Sequence, residues 1–402
     1  MNNIIEDVGQ LCSHGQQIWL LGAGASLEAN LPLVSGLTER VRTVMAATPC
    51  EQVAHPNSMI GHLIDGLRAD IGARATIEDI LDHLADHLSI ARRSSDQCVL
   101  MKLVTPDGAS QMAKFTFLEL QSVHQNILQT IRDTLRWGYI HSENLEDCRE
   151  GTPENPILQI RNHLSFVDVL FGVIRAGREL RTQPIEFFTT NYDTLIEDAL
   201  ALRAISYTDG FCGGAVAHWK PSTLAGSNSE AQAIRAKVTK VHGSIDWTRL
   251  DDNVVRRRIS DSYPEGESDL LIYPQALKYE LTKREPFDTL FGQFRKSLHR
   301  RSPQVLFSCG YGFGDEHINQ EILLALSESD SQLTLVIFSK KRDGSAAGWQ
   351  NEEFGERIYM ITEDGIWRGN DGPYLQPPDD RPHNWWTFSG MTDFLRNPEE
   401  YS

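Results

Sequence analysis

Six short runs of apolar residues punctuate the chain: Ile18–Leu21, Ile185–Thr190, Lys237–Val241, Leu270–Tyr273, Gln304–Ser308 and Leu333–Phe338. Most are continuous rather than alternating, which is the pattern of parallel strands buried on both faces. Several stop at a glycine or a small polar residue. Open α/β sheets bind ligands at those carboxyl ends of their strands. The pattern therefore predicts an α/β core built on a parallel sheet.

Between the first run and the second, the apolar period lengthens to that of helices. Ile60, Leu63, Ile64, Leu67 and Ile71 mark one. Thr76 to Asp79 reads as a capping signal ahead of Ile77, Ile80, Leu81, Leu84 and Leu88. Phe117, Leu120, Ile127, Ile131 and Leu135 mark a third. Pro156 is expected to open a fourth, with Ile157, Ile160, Leu164, Val167, Leu170, Phe171 and Ile174 on its apolar side. The chain then divides into residues 1–50 as the first part of the core, 51–183 as an inserted helical module, and 184–402 as the rest of the core with a C-terminal extension. Gly369 to Pro382 reads as a surface loop. It leads to an aromatic segment, Trp385, Trp386 and Phe388, whose two tryptophans are expected to pack a C-terminal strand or an interface rather than a cofactor.

Length and charge narrow the choice of function. A chain of 402 residues suits two domains, or one with a large insertion. Its 38 Lys+Arg against 55 Asp+Glu leave a net charge of −17. Such a surface repels phosphate backbones, so direct tight nucleic-acid binding is not expected. The run Arg256-Arg257-Arg258 is the one basic stripe, and it reads as a solvated face. The most apolar stretch, Ile18 to Leu37, contains Glu28, Asn30 and Pro32 and is no membrane span. With acidic Glu6 and Asp7 where a signal peptide would carry basic residues, a cytoplasmic location is expected. The cysteines (Cys12, Cys50, Cys98, Cys148, Cys212 and Cys309) form no C-x-x-C pair, so no metal site is expected of them. His83 and His87 stand i, i+4 on a helix, a spacing that could ligate a metal but is better read as a polar helix flank.

Four segments carry chemistry. Leu20-Leu21-Gly22-Ala23-Gly24-Ala25-Ser26 is a strand ending in G-x-G ahead of a helix, where a backbone can approach a pyrophosphate. Leu27 stands where the dinucleotide fingerprint has its third glycine, and no Gly-Lys-Ser/Thr follows to make a P-loop. Phe187-Phe188-Thr189-Thr190-Asn191-Tyr192-Asp193 delivers an amide and a carboxylate to a strand end; either one could also cap the helix expected over Thr194–Leu202. Val241-His242-Gly243-Ser244-Ile245-Asp246-Trp247 puts a histidine at another strand end, where a base titrating near neutrality is useful. In Cys309-Gly310-Tyr311-Gly312-Phe313-Gly314-Asp315-Glu316-His317-Ile318-Asn319, three glycines again allow close backbone approach.

Taken in order, GAGAS, TNYD, HGS-I-D-W and GYGFGDEHIN resemble the sirtuin superfamily, in its prokaryotic branch associated with antiphage defence. The resemblance spans about residues 18–45 and 184–340 and implies a Rossmann-like core that takes NAD as a substrate. It implies that Gly22, Ala23, Gly24 and Ser26 cradle the diphosphate and that Asn191 orients water and the nicotinamide ribose. It further implies that Asp193 holds the nicotinamide carboxamide and that His242 acts as base on the ribose hydroxyls. Gly310 and Tyr311 would meet the adenosine half, with Ser339 a looser candidate.

Two departures from the family pattern matter. The two C-x-x-C pairs of the structural zinc in protein deacylases are absent, and Leu33-Val34-Ser35-Gly36 replaces the family's Asp-Phe-Arg. The expectation is thus an NAD hydrolase without zinc, releasing nicotinamide and ADP-ribose. By the same resemblance it would be a homo-oligomer, working beside a separate sensor or a HerA-like ATPase. The alternatives are an NAD-dependent deacylase or ADP-ribosyltransferase, and a non-catalytic NAD or ADP-ribose sensor subunit. A nuclease using Asp246, Asp251, Asp252 or Asp315 is a further class.

Overall fold

The computed structural model describes residues 2–47, 58–72, 75–104, 108–176, 183–214, 216–225, 234–249, 255–258, 269–272, 285–378 and 381–398. Its centre is a nine-stranded, mostly parallel sheet. Eight strands are labelled in chain order: β1 (Gln17–Leu21), β2 (Ile185–Thr189), β3 (Ala236–Lys240), β4 (Gln304–Cys309), β5 (Leu333–Phe338), β6 (Ile358–Thr362), β7 (Gly365–Arg368) and β8 (Asp371–Tyr374). They lie in the order β8-β7-β6-β5-β4-β1-β2-β3, with the short strand Tyr207–Thr208 beyond β3. All pairings are parallel except the β6–β7 and β7–β8 hairpins.

The chain builds outward from β1 to β2 and β3, then crosses back to place β4, β5 and β6 on the other side. This makes β1 the point where strand order reverses, and ligands of open α/β sheets bind outside the carboxyl ends at such a point.

Continuous apolarity has a direct cause in this sheet. Trp19 and Leu21 of β1 pack with Phe187, Phe307 and Val336 on one face, against the helices Asn2–Cys12, Arg161–Val167 and Phe388–Arg396. Ile18 and Leu20 pack with Phe188, Leu306 and Ile337 on the other face, against Phe287–Leu298 and Glu316–Ser327. Both faces are dry, so every position of β1 must be apolar or, like Gln17, hydrogen-bonded; Gln17 Nε2 donates to the Cys12 carbonyl at 2.6 Å. Each large side chain so buried contributes roughly 1.5–3 kcal/mol.

A separate apolar cluster joins the helices Val34–Ala47, Ser58–Ile71, Ile77–Arg93 and Phe117–Trp137 to Leu31, Tyr192, Leu195 and Ile245 of the core. Capping boxes set the starts of two of them. Thr76 and Asp79 hold the first turn of Ile77–Arg93, and Thr116 and Glu119 that of Phe117–Trp137.

Several expectations are corrected. The Leu270 run belongs to no parallel strand: Asp269–Ile272 lies in a second, five-stranded antiparallel sheet beside Gly243–Arg249, and Tyr273 falls outside the described residues. A four-residue apolar run has no length to separate the two environments. The helix expected after the first strand is present as a 3-10 helix, Ala23–Ala29. Pro156 does not open its helix, which starts at Arg161 and runs on as a π-helix over Asp168–Ile174. The helical segment also contains a hairpin, Cys98–Val104 with Ser110–Thr116. Part of the expected Gly369–Pro382 loop forms β8. Trp385 is buried in the core ahead of a terminal helix, not a strand. Of the other residues singled out, Cys50, Asp251 and Asp252 lie outside the described residues. No helix among the described residues is long and apolar enough to cross a membrane.

Candidate active site

The loops that leave β1, β2, β3 and β4 at their carboxyl ends converge on one cavity of about 490 Å³. Nine residues singled out from the sequence line it: Gly22, Ala23, Gly24, Ser26, Asn191, Asp193, His242, Gly310 and Tyr311. Ser339 does not; its hydroxyl donates to the Lys341 carbonyl at 3.0 Å.

The loops are locked to one another before any ligand is considered. The Gly22 N–H donates to the Cys309 carbonyl (3.1 Å) and the Gly24 N–H to the Gly310 carbonyl (2.9 Å). A Cβ on Gly24 would sit 2.7 Å from Gly310 Cα, and one on Gly22 would sit 2.5 Å from the Gly310 oxygen. Gly310 itself has φ +67°, a left-handed value, and its Cβ would fall 2.1 Å from the Ala25 nitrogen. These three glycines therefore let the β1 and β4 loops touch backbone to backbone. This loop-to-loop contact is a use of the glycines beyond the one expected of a G-x-G loop, the approach of a pyrophosphate.

One hydrogen-bonded chain fixes the polar groups. Asn191 Nδ2 donates to the Gly22 carbonyl and to Ser26 Oγ, both at 3.0 Å. Ser26 Oγ donates in turn to Asp193 Oδ2 at 2.8 Å. The other carboxylate oxygen of Asp193 accepts the Leu195 N–H at 3.0 Å, at the first residue of the helix Leu195–Leu202. With both amide hydrogens of Asn191 engaged, its Oδ1 is the acceptor left for a ligand or a water. Ser26 thus serves Asn191 and Asp193 directly. Below them, the fully buried Lys240 donates to the Asp193 carbonyl and pairs with Glu197 at 3.4 Å.

A second unit stands opposite. His242 Nε2 lies 2.8 Å from Asp315 Oδ2, and both residues are buried. Asp315 Oδ1 meanwhile accepts the N–H groups of His317 (3.0 Å) and Ile318 (3.4 Å), capping the helix Glu316–Ser327. With Nε2 engaged by the carboxylate, Nδ1 is the ring nitrogen left for a ligand. The Tyr311 hydroxyl is shared between the Asp315 carbonyl (3.2 Å) and Asn319 Oδ1 (3.1 Å). Burial, with the Asp315 charge added, pushes its pKa far above the usual phenol range, so it remains a donor.

Sequence reading missed three features. Asp315 was visible inside its glycine-rich motif, but only folding shows that it faces His242. Lys240 and Glu197 read as an ordinary strand end and helix position. Glu78 and Thr76, from the Ile77–Arg93 helix and its cap, also line the cavity. Burial raises the Cys309 thiol to about 12, too high for a thiolate nucleophile. The His83 and His87 rings meet edge to face at 4.8 Å. Among the described residues no cluster of three or more metal-ligating side chains occurs.

Comparison with known proteins agrees with part of this picture. Residues 185–358, which carry β2 to the first residue of β6, match the family model of the SIR2-like domain. A solved structure of a Sir2 homologue mutant in complex with ADP-ribose is similar over 99% of this chain and 98% of that chain, at 9% identity and a TM-score of 0.36. No curated protein matches the chain in sequence.

Proposed function

We propose that this chain is an NAD hydrolase, which breaks the nicotinamide–ribose bond and passes the ribose to water, yielding nicotinamide and ADP-ribose. The observation that carries the reading is the convergence of Asn191, Asp193 and the His242–Asp315 pair on one cavity at the switch point of a parallel sheet. A volume of about 490 Å³ lies within the roughly 300–1,000 Å³ of small-molecule sites.

The chemistry follows from the groups present. As the C1′–N bond breaks, its electron pair stays on the ring nitrogen, and nicotinamide leaves neutral without needing a proton. Positive charge then builds on the ribose. Asp193 holds the carboxamide, and Asn191, its amide hydrogens tied to Gly22 and Ser26, offers Oδ1 to a water or a ribose hydroxyl. The proton released on forming the new C1′–O bond passes to His242 Nδ1, with Asp315 stabilising the imidazolium. Gly22, Ala23, Gly24 and Ser26 form the diphosphate side of the cavity, and Gly310 with Tyr311 the adenosine side. In a cell the enzyme would deplete NAD as an antiphage effector, as a homo-oligomer activated by a separate sensor or HerA-like ATPase.

The test is direct. Purified protein is incubated with NAD, with and without an acetylated peptide, and nicotinamide release is followed by chromatography. Release from NAD alone supports the hydrolase. Release only with the peptide points to the deacylase or transferase alternative. That reading has one structural observation in its favour, a neighbouring cavity of about 590 Å³ that shares Asp193 and Leu135 with the first. Binding without turnover under both conditions would leave a sensor subunit.

A further inference from the structure

The cavity has a wall that lies outside the SIR2-like stretch, and that wall carries a charge. Glu78 sits in the first turn of the Ile77–Arg93 helix and is 6% exposed, yet it lines the cavity beside Leu31, Leu37 and Leu135. Its position is rigid. The Thr76–Asp79 capping box fixes the turn, and the Ile77 N–H donates to Thr38 Oγ1 at 2.9 Å, tying it to the Val34–Ala47 helix. Its Oε1 accepts the Tyr192 hydroxyl at 2.6 Å, and Tyr192 stands between Asn191 and Asp193. Burial first, then the charges of Glu78, Asp82 and Asp315, holds Tyr192 well above the usual phenol pKa, so it stays the donor.

Two facts set Glu78 apart. Tyr192 is its one hydrogen-bond partner among the described residues, whereas Asp193 and Asp315 each hold several donors. No lysine or arginine lines the cavity among the described residues. A carboxylate with one neutral donor is a costly way to join a helix to a loop, since burying charge is expensive and a hydroxyl or amide would make the same bond. The cost is offset if a ligand brings the opposite charge.

We propose that Glu78 is the fixed negative charge that recognises the cationic nicotinamide–ribose end of NAD⁺ and stabilises the positive ribose formed as the bond breaks. The inference rests on the NAD reading above and assigns it a catalytic residue supplied by the helical segment. In the substrate the positive charge lies on the pyridinium ring. In the transition state it moves to C1′ and O4′ of the ribose, while the bonding pair goes to the departing nitrogen. A carboxylate preorganised at that junction favours both, and the second more as neutral nicotinamide departs.

The experiment uses the full chain and the variants Glu78→Gln, Glu78→Asp and Tyr192→Phe. Affinities for NAD⁺, NADH and ADP-ribose are measured by calorimetry, and kcat and KM by nicotinamide release. NADH and ADP-ribose keep the diphosphate but lack the cationic ring, and serve as the probes without that charge. Glu78→Gln keeps the shape and an acceptor for Tyr192. It should leave ADP-ribose affinity within about twofold and lose about tenfold in NAD⁺ affinity. It should also erase the preference for NAD⁺ over NADH and lower kcat by about 10²-fold, in the range of removed preorganised groups. Glu78→Asp should restore part of the loss, and Tyr192→Phe should give an intermediate value.

Unchanged NAD⁺ affinity and kcat in Glu78→Gln would overturn the assignment. So would an equal loss for all three ligands, which marks a purely structural residue. If the unaltered protein binds NAD⁺ but releases no nicotinamide, the hydrolase reading falls, and the ratio of NAD⁺ to ADP-ribose affinity still decides the role of Glu78. If it binds neither, both readings fall together.

Discussion

Acid should unfold this protein partly through one histidine. His163 lies on the helix Arg161–Val167, is 2% exposed, and packs its ring on Phe388 at 4.6 Å. Its Nδ1 is buried without a hydrogen-bond partner, and burial lowers its pKa to about 4 from an ordinary 6.5, with Asp193 acting weakly in the other direction. The sign follows from linkage. A histidine whose folded pKa lies below its unfolded one takes up protons on unfolding, so stability is full above about pH 6.5 and falls as pH drops toward 4. The lowering from 6.5 to about 4 corresponds to about 3 kcal/mol in full, of which about 2 kcal/mol should be lost by pH 5. Urea unfolding of the unaltered protein and of His163→Phe, at about pH 7.5 and again at about pH 5, isolates this share from the carboxylates. The variant, which has no group to protonate, should lose about 2 kcal/mol less on acidification and match or exceed the unaltered protein at the higher pH. Parallel stability–pH curves would refute the reasoning.

Three further outcomes are expected. Asn191→Ala should lower nicotinamide release by about 10²-fold, as for a positioned catalytic group, with little change in melting temperature; near-full activity in a folded variant would remove it from the mechanism. Asp315→Asn should keep its helix, since asparagine caps as well as aspartate, while losing activity. Combined with His242→Ala the loss should not be additive, because the two act as a unit, and full additivity in a double-mutant cycle would separate them. Gly24→Val should destabilise by about 1–3 kcal/mol through overpacking against Gly310 and weaken NAD binding in calorimetry; wild-type melting and affinity together would mean the two loops can part freely.

The α/β character of the fold and the identity of the loops at its ligand end are written in the sequence because both are local. A strand covered on two faces has to be mostly apolar, as β1, β2, β4 and β5 are apart from a few polar positions such as Gln17, Glu186 and Gln304, and a loop that turns sharply at a strand end has to carry glycine or small polar residues. The capping box at Thr76 is equally local and forms as its spacing predicts, and a second one at Thr116 is of the same local kind. What the tertiary structure decided depends on residues far apart in the chain. Ser26 meets Asp193 across 167 positions, His242 meets Asp315 across 73, and Glu78 meets Tyr192 across 114. Nothing in the local pattern of a helix marks Glu78 as a wall of the cavity, and nothing in a glycine shows whether its missing Cβ makes room for a ligand or for another loop. The placement of Asp269–Ile272 in the second sheet is of the same kind. A short apolar run fits a strand of either sheet, and which partner strand it pairs with is settled only when the rest of the chain has folded.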